Sequence, residues 1–303
     1  MGSREDVVSL DPRRLLVHAV LRGMVRRGHV DTVAEFVAEQ ERDPAPFAPP
    51  TGRAARGVDV TESVADGVLS YRLAPQRGTD RCVVYLHGGA YIGQIGAPQW
   101  AFVLDLVRTT GATCVVPIYE LAPSGTATQT VSEAAEVVAA AVDEHGPADV
   151  VVMGDSAGAG LAVAATRQLR DAGRAMPARL VLLSPWLDVT MSHPDQAAIE
   201  RRDIMLRRDY LADAGRAYAG HLAADDWRAS PLTGDVSGLP PMHVFTGTHD
   251  ILVTDSRRFV EKVNAAGGEI EYVEAPEMQH VYTIFPLLAE SRAARRRIRE
   301  LLR

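Results

Sequence analysis

From Arg81 onward, short runs rich in β-branched residues alternate with stretches of helical periodicity. CVVYLHG leads into PQWAFVLDLVRTTG, ATCVVPIY into VSEAAEVVAAAVDEHG, and DVVVMGD into AGLAVAATRQLRDAG, before RLVLLSP. After Pro231 the pattern resumes with PMHVFTG, DSRRFVEKVNAAGG and EIEYVEAP, and a closing helix is expected from about Val281. Apolar strands separated by helices imply a mostly parallel sheet with helices on both faces, an α/β fold. Right-handed crossovers then set the C-terminal ends of those strands, and the loops after them, along one edge. Ahead of this region, GVDVTESVA and GVLSYRLA alternate polar and apolar residues, as a half-exposed antiparallel pair does.

Two segments stand apart from the alternation. Residues 11–40 have helical spacing, with Leu16, Val17, Val20, Leu21 and Met24 followed by Val33, Phe36 and Val37. A Pro- and Ala-rich linker, DPAPFAPPTGRAARG, separates them from the first strands. The second segment, IERRDIMLRRDYLADAGRAYAGHL, is charged and helical in character and falls on the strand-end side. The expected organisation is N-terminal helices over 1–50, the first part of the core over 51–188, a cap insertion over 189–230, and the rest of the core over 231–303. The N-terminal helices are expected to join the insertion as one cap.

A net charge of −7 argues against a nucleic-acid partner, which wants a clustered basic surface. Lys262 is the only lysine, which leaves little room for a P-loop, a pyridoxal Schiff base or a Ser-Lys dyad. Cys82 and Cys114 both lie in apolar strand-like runs and read as packing residues, with neither a disulfide framework nor a metal cluster around them. MGSREDVVSL lacks a basic start followed by an apolar core, and no stretch has the length of a membrane span, so a cytoplasmic location is expected.

The chemistry is carried by residues that follow predicted strands. In GDSAG, Ser156 sits between a buried strand and a helix, flanked two residues either side by Gly154 and Gly158. A serine whose oxygen projects from such a turn needs small neighbours at those positions. The N–H of Ala157 then lies at a helix N-terminus, where negative charge is favoured. HGGAYIGQIG follows the strand CVVYL, and the Gly88 and Gly89 amides are expected to face an oxyanion without an intervening side chain. His87 is expected to orient that loop rather than act as a base. Asp250 ends the strand MHVFTG and its loop, and His280 sits in the loop after EIEYVEAP, giving the chain order Ser, Asp, His at separations of 94 and 30 residues. Asp255 competes for the acid role but falls about a turn into a helix, and His249 is adjacent to Asp250.

HGGAY, GDSAG, SPWLD, the LPP-strand-G-x-x-D-I-L run and QHVY together resemble the hormone-sensitive-lipase-like branch of the α/β-hydrolases, over roughly Gly57 to Pro286. The resemblance implies an eight-stranded sheet with a helical cap, and Ser156, Asp250 and His280 as a catalytic triad. It also implies Gly88, Gly89 and Ala157 as oxyanion donors, with no metal or organic cofactor. The expected reaction is hydrolysis of a small to medium carboxylic ester through an acyl-enzyme, with a small-molecule ester as partner and a homodimer left open. Tyr91, Trp186, Leu187 and Met205 are expected to line an apolar pocket. A dedicated acyl transferase, lactone hydrolase or eliminase would use the same site. A binding module is the third reading, since the family also resembles a plant hormone receptor whose catalytic histidine is lost; here His280 is present. Two departures stand out: Ala159 replaces the last glycine of GDSAGG, and YELAPSGTATQT replaces a YRLAPE-type segment with its Pro-rich run, placing this enzyme's individuality in the loop from Tyr119.

Overall fold

A computed structural model describes residues 16–19, 21–23, 30–44, 46–65 and 67–303. The expectations for residues 1–15, Val20 and Met24 lie outside the described residues. Helix α1 spans Val33–Arg42, opened by a capping box in which Thr32 and Glu35 satisfy each other's backbone N–H groups. The hairpin β1 (Val58–Ala65) and β2 (Val68–Pro75) follows. Then come β3 (Cys82–Leu86), α2 (Ala97–Thr110), β4 (Thr113–Ile118), α3 (Ala127–His145), β5 (Val150–Asp155), α4 (Ala157–Asp171) and β6 (Arg179–Leu183). Beyond the insertion, which carries α5 (Gln196–Ile199) and α6 (Arg208–Ala219), lie β7 (Met242–Gly247), α7 (Val253–Ala265), β8 (Ile270–Ala275) and α8 (Ala289–Leu301).

The eight strands form one sheet in the order β1-β2-β4-β3-β5-β6-β7-β8. β1 and β2 pair antiparallel, β2 meets β4 antiparallel, and every other pairing is parallel. Side chains alternate between two cores. Cys82, Val84 and Leu86 of β3 join the cluster built from α3, α4 and α7, whereas Val83 and Tyr85 join the one under α2 and α8. The loops after β3, β5, β6, β7 and β8 therefore share one edge, and β5 at the centre delivers Ser156 there. α1 packs against α6, bringing the N-terminal segment onto the insertion. No described helix is long and apolar enough to cross a membrane.

Two helices begin later than their periodicity implies. The closing helix starts at Ala289, not near Val281. Val281 has φ 46°, Tyr282–Ile284 forms a 3-10 turn, and Phe285 is held extended before Pro286. Within the insertion, α5 stops at Ile199 and α6 starts at Arg208. Between them Asp203 Oδ1 accepts from Met205 N (2.8 Å) and Leu206 N (2.9 Å). A short acidic side chain that bonds its own following amides competes with the helix ladder and breaks it.

α4 crosses β3 with no room between them. A Cβ on Gly158 would collide with the carbonyl oxygen of Leu86. Gly158→Ala is therefore expected to cost about 2 kcal/mol, lowering the thermal midpoint by roughly 5 °C in a calorimetric scan. An unchanged midpoint would show that the strand and helix separate more freely than this contact implies.

Candidate active site

Ser156 has φ 54° and ψ −121°, a strained conformation for a residue with a side chain. It is pinned on both sides: its N–H donates to Leu183 O at 2.8 Å, and its carbonyl accepts from Trp186 N at 3.0 Å. A Cβ on Gly154 would collide with the backbone of Gly158, so the elbow closes only over glycine. Ala159, where the resemblance leads one to expect glycine, is wholly buried in the apolar core.

Asp155, to which the motif reading assigns no role, braces the neighbouring loop. Its Oδ1 accepts from Tyr85 Oη (2.6 Å), Gly88 N (2.9 Å) and Gln99 Nε2 (3.2 Å), and its Oδ2 from Gln99 Nε2 at 2.9 Å. Burial pushes this carboxyl up, while those donors work to hold it down. The bond from Gly88 revises one expectation: its N–H is committed to a carboxylate and is not available to an oxyanion in this conformation. Among the described residues, no hydrogen bond claims the N–H groups of Gly89 (φ 136°) and Ala157. Gly88 still has to be glycine, because a Cβ there would stand 2.5 Å from Asp155 Oδ2 and 3.0 Å from Ser156 Cβ.

His87 lies beneath the same loop, with Nδ1 2.8 Å from Gly88 O and its ring stacked on Tyr119 at 4.3 Å between centroids. Tyr119 Oη donates to His87 O at 2.6 Å. Burial pushes His87 down to about 4, so it is neutral and supports the loop.

Asp250 and His280 come from adjacent strand ends. His280 Nδ1 is 2.8 Å from Asp250 Oδ2, both side chains are buried, and Asp250 Oδ1 accepts from Leu252 N at 2.9 Å. Backbone bonds stitch the two loops together: Thr248 N to Ala275 O at 3.0 Å, and His249 N to Met278 O at 3.0 Å. Glu277 N donates to Thr248 Oγ1 at 2.7 Å. Val281 N donates to Ser184 Oγ at 3.0 Å, which fixes the far side of His280. Burial works to lower the His280 imidazole, but the charge and hydrogen bond of Asp250, helped by Asp203 and Asp155, raise it above its ordinary value. Asp255 is turned to a different task. Its Oδ2 accepts from Leu187 N (3.1 Å) and Asp188 N (3.0 Å), and burial with the nearby Asp188 pushes it up to about 7.

The four residues expected to line a pocket are not brought together. Tyr91, Trp186 and Leu187 are fully buried in one core cluster, Tyr91 stacked on Tyr218 at 3.5 Å, because they support the elbow from beneath. Met205 is half-buried and packs on the opposite cluster. A groove of about 570 Å³ runs between α1 and α6, lined by Val33, Val37, Ala217 and, from the unusual 119–130 loop, Pro123.

Known proteins share both the sequence pattern and the fold. Residues 83–284 match the α/β hydrolase fold family. An acetyl-hydrolase of Streptomyces hygroscopicus is 36% identical over 227 residues, which cover 73% of this chain and 74% of that protein. A triacylglycerol lipase of Mycobacterium tuberculosis is 34% identical over 233 residues, 77% of this chain, and the match spans about half of that longer protein (49%). Among solved structures, a hormone-sensitive-lipase homologue from a metagenome library superimposes with a TM-score of 0.82 at 27% identity, covering 97% of this chain and 98% of that one. The chain belongs to the α/β-hydrolase family, in its hormone-sensitive-lipase-like branch.

Removing the Asp155 brace should be costly. Asp155→Ala leaves the Tyr85 hydroxyl, the Gly88 amide and Gln99 without their shared acceptor, at about 1–3 kcal/mol for unsatisfied buried groups. Urea denaturation should show that loss, whereas a wild-type midpoint would mean that Asp155 does not brace the loop.

Proposed function

We propose that the chain is a serine carboxylesterase that cleaves a small to medium ester through an acyl-enzyme, with Ser156, His280 and Asp250 as its reacting groups. The observation that carries this reading is the 2.8 Å contact between His280 Nδ1 and Asp250 Oδ2, made at the same sheet edge that presents Ser156. The class, a carboxylic ester hydrolase, is supported by family membership and by relatives named as acetyl-hydrolase and lipase.

In the proposed mechanism the neutral His280 takes the Ser156 proton as the oxygen attacks the ester carbonyl. Asp250 keeps the imidazole in the tautomer that leaves Nε2 free to accept, then stabilises the imidazolium. Gly89 and Ala157 amides bind the tetrahedral oxyanion; one such donor is commonly worth about 10²–10³ in kcat. His280 protonates the departing alcohol, and water repeats the sequence on the acyl-enzyme. The packing of α1 on α6 supports reading residues 1–50 and 189–230 as one cap over this edge.

Ser156→Ala should lower kcat for p-nitrophenyl butyrate by roughly 10⁴-fold or more, and an organophosphate should label Ser156 alone; most of the activity surviving would dismiss the assignment. The raised His280 value fixes a pH dependence. The base must be neutral, so activity falls as pH drops through a value above the ordinary 6.5 of imidazole. A kcat/KM profile whose acidic limb lies below 6.5 would contradict it.

A further inference from the structure

The turn that interrupts the insertion's helices touches both loops of the acid–base pair. Asp203 Oδ2 accepts from Ile251 N at 3.0 Å, while its other oxygen holds Met205 N and Leu206 N. Ile251 follows Asp250 directly. On the other side Gln279, which precedes His280, donates Nε2 to Arg202 O at 3.0 Å and accepts at Oε1 from Ile204 N at 3.0 Å. Residues 202–206 are thus bonded to the chain neighbours of both Asp250 and His280. Gln279 is buried and Asp203 half-buried. The charged groups bearing on Asp203 are Asp250 and His280; those bearing on His280 are Asp250, Asp203 and Asp155.

We propose that Asp203 and Gln279 form a latch through which the insertion positions the Asp250–His280 pair. The proposal rests on reading Ser156, Asp250 and His280 as the reacting groups. Such a pair works only when ring and carboxylate stay within a fraction of an ångström of their productive geometry. Two side-chain clamps, one per loop, hold them to a common third segment.

The test compares wild type, Ser156→Ala, Asp203→Asn and Gln279→Ala, each checked for folding by circular dichroism and thermal melting. Hydrolysis of p-nitrophenyl acetate is followed for kcat and KM. Wild-type turnover that vanishes in Ser156→Ala secures the underlying reading; an inactive wild type or an active Ser156→Ala overturns that reading, and the latch with it. Asp203→Asn is expected to lose roughly tenfold or more in kcat with little change in KM. Gln279→Ala, which removes the clamp on the other loop, should lose kcat comparably. Folded Asp203→Asn protein with wild-type kcat, or with a loss carried by KM alone, overturns the proposal. Should Asp203→Asn not fold, Gln279→Ala decides: a folded variant with reduced kcat supports the latch, and wild-type kcat overturns it.

Discussion

Ser156 occupies a backbone conformation that costs on the order of 1–3 kcal/mol, and most of the surrounding structure serves to hold it there. Its carbonyl accepts from Trp186 N, so the turn after β6 is fastened to the elbow. That turn is fastened again by Asp255 through Leu187 N and Asp188 N, and by Ser184, whose N–H donates to Phe245 O of β7 at 2.7 Å. Ser184 Oγ in turn holds Val281, the residue after His280. The β6 turn is thus a hub to which Ser156, the β7–α7 segment and the His280 loop are bonded. The positive φ of Ser184 (48°) and Val281 (46°) belong to the same arrangement. Val281 is β-branched, for which such a conformation is a true outlier that the neighbouring bonds must compel.

The electrostatics of the site follow from how its carboxylates are satisfied. Among the described residues no arginine or lysine bonds to Asp155, Asp203 or Asp250. Their partners are backbone amides, a tyrosine, a glutamine and His280. Amide donors stabilise a carboxylate without supplying a counter-charge, so the local field stays negative and favours an imidazolium. An arginine at any of these positions would quench that field. Arginines act elsewhere, as where the buried Arg295 and the half-buried Arg299 tie α8 to Asp105 of α2.

Much of this arrangement is legible in the sequence because it depends on local patterns. Alternating strand and helix periods imply the parallel sheet and its face assignments, and they place the residues that end strands on one edge before any distance is known. Polar contacts across the chain are not legible. Asp155 lies inside GDSAG, yet nothing in that motif says its carboxylate reaches back 67 residues to the Gly88 amide. That bond is also why Gly88, which reads from sequence as a donor to substrate, is instead bonded within the protein. Asp203 sits in a segment of helical period, where a carboxylate reads as a solvated charge; only its bonds to the next turn, and across to Ile251, reveal otherwise. Nor does sequence tell pocket lining from core at Tyr91, Trp186 and Leu187, since a strongly apolar residue near a site packs beneath it as readily as it lines it.

The unusual 119–130 loop is joined to this framework at few points, and that bears on how the site tolerates variation. Tyr119 is locked under His87 by ring stacking and a hydrogen bond, and Ala122 N donates to Tyr91 O at 2.8 Å. Beyond those anchors the loop bonds outward: Gln129 Nε2 donates to Glu120 Oε2 and to Glu133 Oε1, both at 2.8 Å, on the exposed side of α3. The exposed Glu120 carboxylate is thus bonded along α3 and not to the Ser156 elbow, the 87–96 loop or the Asp250–His280 pair. Sequence change from Glu120 onward can therefore reshape the groove that Pro123 shares with α1 and α6 while the bonds that hold Ser156, Asp250 and His280 stay as they are. On the proposed assignment of Ser156, Asp250 and His280 as reacting groups, backbone bonds at the strand ends fix them, and the chain differs from its relatives in a loop away from those bonds.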